Sequence, residues 1–444
     1  MLSRPIPAAA PGFGVVYGEV GALVWNLRAR RGVRGVTAGS DATFGAAMRR
    51  HLRYGAPGAL GLAVGALVMG CAEPPLPPAM PPPRSEAASH QILGTRAEGT
   101  PRELAERGER ALLQLKWRDA VDAYEALVAG EPTAKEMPLW LASLGAAYEG
   151  LGDLKKAREV YRSLVSRFPT DPQVRGAEVR EASLDAYLED WKALGELGER
   201  LLAKPGADDV DRMLGFGARA LRKVQEKDDV GALRDTNEGL EIMDAKHYGA
   251  AGRLPVPAAQ LRFALAEVRR TKSEKIALLP VGDDFLVKME MRCQGLLDAQ
   301  SAYADAIRSS DPIWAKMSGV RVGEMYRTLH AELMTIPPDR AKTASDKNLF
   351  YAIMHVRYRV LVEKGMEMMT RTIDFAKKTE DESGWVTRAR EARDQMMRSL
   401  EEEKAILATL PYTEAEVERS LEMMRERALL RAQGKPVPPL KPKP

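Results

Sequence analysis

The sequence predicts an all-α protein in which helical hairpins stack into a short superhelix that is continued by irregular long helices. Apolar residues recur with helical periodicity from about residue 100 to 431, and no stretch shows the alternation and tight turns of β-strands. Three helix starts share a capping residue followed by proline: Thr100-Pro101, Asp171-Pro172 and Asp311-Pro312. The third observation is a residue pattern that repeats near the start of this region.

Residues 1–70 have the composition of a leader and not of a folded domain. Residues 1–47 are rich in Gly, Ala and Arg without helical periodicity, and we interpret them as an upstream extension before a true start at Met48. Residues 48–70 form a secretory signal, with a positive segment, an apolar glycine-rich run and a small residue at its end. The first 70 residues carry eight Arg and two acidic residues, a net charge of +6. Because the whole chain has a net charge of +4, residues 71–444 have a net charge of about −2. No basic stripe remains to attract nucleic acid.

The segment Val68-Met69-Gly70-Cys71 resembles a bacterial lipoprotein signal, and the resemblance implies acylation of the Cys71 thiol. Ala72 in place of Asp implies an outer-membrane destination facing the periplasm. The alternative is a plain signal peptide with an incidental cysteine. Residues 71–99 are rich in proline and predict an extended tether. The other cysteine, Cys293, lies in a helical pattern and is expected to be a buried small hydrophobe.

Residues 141–169 carry the clearest repeat unit, with small and aromatic residues at fixed spacing. Its pattern residues are Leu144, Gly145, Tyr148, Ala157, Tyr161 and Pro169. A weaker unit precedes it in phase, with Leu104, Gly108, Ala111, Ala120, Tyr124 and Pro132. A degenerate third unit follows, with Leu184, Tyr187, Trp191, Leu194, Leu197 and Leu201. The pattern resembles the tetratricopeptide repeat (TPR), which implies that residues 100–205 form TPR-like hairpins and bind a protein.

Residues 206–433 predict an irregular helical-repeat domain, and residues 434–444 a basic, proline-rich disordered tail. The helices are expected at about 209–227, 230–246, 258–272, 285–310, 313–336, 349–378, 383–410 and 413–431. Part of this region resembles TPR lipoproteins of gliding and predatory bacteria, through Tyr303, Trp314-Ala315, Gly323, Tyr326 and Pro337-Pro338. That resemblance implies a place in envelope or motility machinery.

No motif for catalysis, a cofactor or a metal stands out, so we expect neither enzyme activity, a bound cofactor, a metal nor a small-molecule substrate. His330-Ala331-Glu332 lacks the cysteine pair that a zinc deaminase needs, and His330 is expected to be a packed or surface residue. Residues 401–403, three consecutive glutamates, are interpreted as a solvated face. A methionine cluster at helical spacing is expected to be core: Met366, Met368, Met369, Met396 and Met397.

By the TPR resemblance, the first helix of each hairpin lines a concave groove. The predicted lining residues are Arg102, Glu106, Glu109, Leu139, Ser143, Ala146 and Glu149. The Lys and Asn residues that clamp an acidic terminus in chaperone-type TPRs are missing, and Glu106, Glu109 and Glu149 favour a basic or apolar partner segment. The alternative is that neighbouring helices fill this face and binding occurs elsewhere.

The sequence therefore predicts a membrane-tethered, periplasmic protein-interaction scaffold. Two other functions stay open: an envelope enzyme or enzyme accessory for cell-wall or lipid handling, and an outer-membrane assembly factor.

Overall fold

The computed structural model describes residues 98–248, 254–309, 311–339, 341, 343–434 and 436–437. The predicted upstream extension (1–47), the signal peptide (48–70) and the lipidation site Cys71 lie outside these residues. So do nearly all of the tether (71–99) and most of the tail (434–444).

Fourteen α-helices and no β-strand make up the secondary structure of the described residues, which confirms the predicted all-α fold. In chain order the first seven are α1 (Pro101–Leu113), α2 (Trp117–Gly130), α3 (Met137–Leu151), α4 (Leu154–Arg167), α5 (Gln173–Tyr187), α6 (Trp191–Ala203) and α7 (Asp209–Gln225). The others are α8 (Asp229–Ala245), α9 (Val256–Glu274), α10 (Phe285–Ile307), α11 (Pro312–Met334), α12 (Ala344–Lys378), α13 (Gly384–Thr409) and α14 (Glu414–Ala432).

Helices α1 to α6 form three antiparallel hairpins whose starts and turns follow from local residues. Thr100 and Glu103 form a reciprocal capping box at the start of α1. Gly152 ends α3 with a left-handed φ of 83°, a conformation that glycine adopts without steric cost, and Asp153 then caps α4. The sequence alone therefore fixes where the central hairpin turns.

The hairpin of α3 and α4 closes around Gly145, as its place in the repeat predicts. A Cβ atom built on Gly145 would lie 2.6 Å from the ring of Tyr161 on α4, which is closer than carbon atoms can pack. The same approach recurs on α11, where a Cβ on Gly323 would lie 2.7 Å from the Met369 side chain of α12. The second helical pair thus repeats the packing device of the first.

One continuous apolar core extends from Leu104 on α1 to Met396 on α13. Its largest fully buried side chains include Trp314 and Trp385. The methionines behave largely as predicted: Met369 and Met396 are buried and Met366 and Met368 are partly buried in this core, while Met397 is 50% exposed. Cys293 is buried, as expected.

The interpretation of residues 401–403 as a solvated face is wrong at its last residue. Glu401 and Glu402 are exposed, but Glu403 is only 3% exposed and its carboxylate lies 2.8 Å from Nε2 of His330. Three consecutive helical residues span about 200°, and α13 packs against both α11 and α12, so the third acid turns into that contact. Among the described helices, none is long and apolar enough to cross a membrane.

Candidate partner-binding groove

Helices α1, α3 and α5 lie side by side and form one face of the stacked hairpins. Neighbouring repeats of this kind bury their apolar sides against each other and leave this face for a ligand. Helix α5 differs from the other two because it also contacts α7, α9 and α11. The face therefore has an open part on α1 and α3 and a covered part on α5.

The predicted groove residues of α1 are all exposed to solvent. Nε of Arg102 lies 3.0 Å from Oε1 of Glu106, one turn further along the helix. Their side chains are 89% and 53% exposed, so this pair adds little to stability and is free to rearrange around a ligand. Glu109 is exposed on the same helix.

The predicted groove residues of α3 differ in their exposure. Leu139 is 52% exposed and Ala146 is exposed, which gives this helix an accessible apolar strip. Ser143 is half-buried, and its hydroxyl partly offsets the rise that burial causes in the pKa of Tyr124 on α2. Ser143 thus contributes to packing between hairpins as well as to the groove.

Glu149 belongs to a chain of polar contacts that leads away from the open face. Its Oε1 accepts hydrogen bonds from Tyr161 at 2.8 Å and from Nε of Arg180 on α5 at 2.9 Å. Nη1 of Arg180 donates to Asp311 at 2.7 Å, and Asp311 also caps the start of α11. Burial alone would lower the pKa of Arg180, but the two carboxylates outweigh it and raise that pKa. The negative charge of Glu149 is therefore balanced by Arg180 within the fold.

A second set of contacts closes the end of α5. The hydroxyl of Tyr187 donates to Oδ2 of Asp381 at 2.5 Å, and Nζ of Lys316 on α11 bonds to the same carboxylate. Nε1 of Trp385 at the start of α13 donates to the backbone carbonyl of Tyr187 at 2.8 Å, and the two rings stack at 6.4 Å. The start of α11 and the segment 381–385 thus occupy the face of α5.

The sequence left two alternatives, an open groove or a face filled by neighbouring helices, and each describes a different part of this face. On α5 the chain's own helices fill the face, whereas Leu139 and Ala146 of α3 remain accessible. Arg180 and Tyr187 on α5 were not identified from the sequence as contact residues. The sequence carried no signal for these contacts, because residues 181–187 are buried without a break although Glu181, Ser183 and Asp185 are polar.

The described residues offer no alternative built around a metal, because no group of three or more of their His, Cys, Asp or Glu side chains is arranged to hold one. We therefore take the open face of α1 and α3 as the candidate site.

A comparison with protein-family models matches residues 137–180 to a tetratricopeptide repeat model. No curated protein matches the chain. Among solved structures, a tetratricopeptide repeat protein from Parabacteroides merdae ATCC 43184 is similar over 67% of this chain and 98% of its own, with 14% identity and a TM-score of 0.37.

The matched residues span α3, α4 and the first half of α5, which is the stretch with the clearest repeat pattern in the sequence. Residues 137–180 therefore match a tetratricopeptide repeat, and they lie within an array of helical hairpins.

Proposed function

We propose that this protein is a membrane-tethered scaffold whose open TPR face, on α1 and α3, holds a segment of a partner protein in the periplasm. The observation that carries the proposal is the contrast along one face. The α5 part is closed by Asp311 and Trp385, while α3 presents Leu139 at 52% exposure beside the small side chain of Ala146. A ligand for this face therefore meets α1 and α3.

The partner segment is apolar rather than basic. Of the three acids that favoured a basic partner, Glu149 is neutralised by Arg180 and Glu106 is paired with Arg102. Only Glu109 remains, and α1 carries three Arg residues against its three Glu residues. Because the charges on the open face are nearly balanced, its accessible apolar strip on α3 favours a partner segment with apolar side chains.

A variant with Leu139→Arg and Ala146→Arg is expected to bind its partner at least about tenfold more weakly, equivalent to about 1.4 kcal/mol. Both positions are exposed, so the added guanidinium groups block the face without entering the core. A photo-crosslinking residue at Leu139 in cells identifies the partner, and titration of the purified pair then measures affinity.

The matched control is Val230→Arg with Leu233→Arg on α8, two exposed apolar residues far along the chain from this face. The control should leave affinity unchanged. Equal loss in both variants, or no loss in the groove variant, would show that the partner binds elsewhere.

The tether is tested separately, through the anchor. We expect Cys71→Ser to move the protein from the outer-membrane fraction to the soluble periplasmic fraction, because an acyl chain is what holds a lipoprotein to lipid. Cys293→Ser is the matched control, since it removes the chain's other cysteine, which is buried in the core. A Cys71→Ser protein that stays in the outer membrane would rule out lipidation as the anchor.

A further inference from the structure

The first two hairpins share one packing device, which shows which of their residues are equivalent. A Cβ atom built on Gly108 of α1 would lie 2.9 Å from the ring of Tyr124 on α2. One built on Gly145 of α3 would lie 2.6 Å from the ring of Tyr161 on α4. The two glycines are 37 residues apart in the chain, and so are the two tyrosines. Positions 37 residues apart on α1 and α3 are therefore equivalent.

The apolar strip on the open face begins in the first turn of α3. Leu139 is 52% exposed, Ala142 is half-buried and Ala146 is exposed. These positions are three and four residues apart, so they share one face of the helix. Leu139 is equivalent to Arg102 in the first turn of α1, and Ala142 is equivalent to the half-buried Ala105. The strip thus starts beside the N-terminal end of α1.

The chain enters the fold at this same end. Residues 98–100 are exposed, and Thr100 caps α1. Helices that pack side by side lie about 10 Å apart, so Leu139 is about one helix spacing from this entry point. Ile92 and Leu93 precede Thr100 by eight and seven residues. Seven extended residues span up to about 25 Å, so this pair can reach the strip.

The composition of residues 72–97, which lie outside the described residues, fits the open face. Their large apolar residues are Leu76, Met80, Ile92 and Leu93, and only the last two are adjacent. Because neighbouring side chains of an extended segment point to opposite sides, one member of the pair meets the face in either register. The segment carries two Arg and two Glu, so its net charge of zero suits a face with nearly balanced charges.

We propose that the Ile92-Leu93 segment of the tether docks on the open face at Leu139 and competes there with the partner protein. This inference rests on the proposed function, because competition requires the partner to use the same face. A segment joined to its site by a short connection acts at an effective concentration on the order of millimolar, so a weak apolar contact is enough to fill the face. Occupancy between about half and nine tenths lowers the apparent affinity for the partner about two- to tenfold.

A photo-crosslinking residue at position 139, in the purified full chain carrying Cys71→Ser, tests the docking with no partner present. The serine removes the predicted acylation site, so no detergent is needed that would compete for the strip. Irradiation should join position 139 to the tryptic peptide 85–96, which contains the docking segment. The same photo-crosslinking residue at Val230 on α8, which is 82% exposed, should not form this product.

Ile92→Asp with Leu93→Asp should abolish the cross-link and tighten partner binding about two- to tenfold, because a carboxylate is costly to withdraw from water. Leu76→Asp with Met80→Asp is the matched control in the same tether and should change neither result. All four positions precede α1, so the substitutions leave the residues of the apolar core unchanged.

Docking is refuted if peptide 85–96 is not cross-linked to position 139, or if the double variant at 92 and 93 keeps the full yield. A yield that rises with protein concentration would instead place the segment of a second copy on the face, which also refutes it. Competition is refuted if the double variant binds with unchanged affinity a partner that the Leu139→Arg, Ala146→Arg variant does weaken. A partner insensitive to that groove variant contradicts the proposed function, while the cross-link still reports docking.

Discussion

Replacing Asp381 by alanine should destabilise the fold by about 3–5 kcal/mol, because it breaks a buried charge pair. The carboxylate of Asp381 pairs with Nζ of Lys316, and the two side chains are only 8% and 5% exposed. Without it, the Lys316 ammonium and the Tyr187 hydroxyl both lose their shared partner inside the core. Urea unfolding followed by circular dichroism measures the loss.

Two controls separate this loss from a general effect of removing an acid. Asp374→Ala on α12 removes an exposed carboxylate that pairs with Lys377, and it should cost less than about 1 kcal/mol. Combining Lys316→Met with Asp381→Asn removes both charges together, so it should recover much of the stability that Asp381→Ala loses. If Asp381→Ala unfolds at the same urea concentration as the parent protein, the pair does not hold α5 against the C-terminal helices.

The contribution of this pair to the free energy of unfolding depends on pH. Burial would raise the pKa of Asp381, but the Lys316 ammonium and the Tyr187 hydroxyl outweigh burial and hold that pKa below its ordinary 3.8. The contribution of the pair is therefore present above about pH 3.8 and is lost as the pH falls through the lower folded-state value. Between pH 5.5 and 7.5 the pair should stay intact.

The substitution Gly145→Leu should cost at least about 1–3 kcal/mol through overpacking of the central hairpin. The Tyr161 ring, 2.6 Å from the position of an added Cβ, has little freedom to move aside. The ring is 4% exposed, and its hydroxyl is bonded to Glu149, which Arg180 holds in turn. Thermal and urea unfolding of the purified protein measure the effect.

Gly176→Leu is the matched control within the same repeat. Gly176 is exposed on α5, and no atom lies within 4 Å of a Cβ built there, so leucine should stabilise that helix by up to about 1 kcal/mol. In a Tyr161→Ala background the cost of Gly145→Leu should fall, because the obstructing ring is gone. If Gly145→Leu costs the same with and without the Tyr161 ring, the role of Gly145 is not to make room for that ring.

Local chemistry explains why so much of the fold could be predicted. A helix can be recognised from one or two turns of sequence, through its capping residue and the spacing of its apolar residues. The observed bounds of α7 to α14 lie within a few residues of the predicted ones, except that α12 begins five residues earlier. The repeat is equally local, since Gly145 and Tyr161 belong to one hairpin. The groove residues on α1 and α3 could be proposed for the same reason.

The sequence alone determined the all-α class and the pattern that matches a tetratricopeptide repeat, and it predicted the candidate face. Only the tertiary structure decided which part of that face is open, because Arg180 meets Asp311 131 positions away and Tyr187 meets Asp381 194 positions away. It also decided that Glu149 is neutralised and that Glu403 is buried beside His330. The helical periodicity of the sequence indicates which face of a helix a side chain occupies. Its charge partner depends on which distant helices pack against that face, and local sequence patterns do not specify this packing.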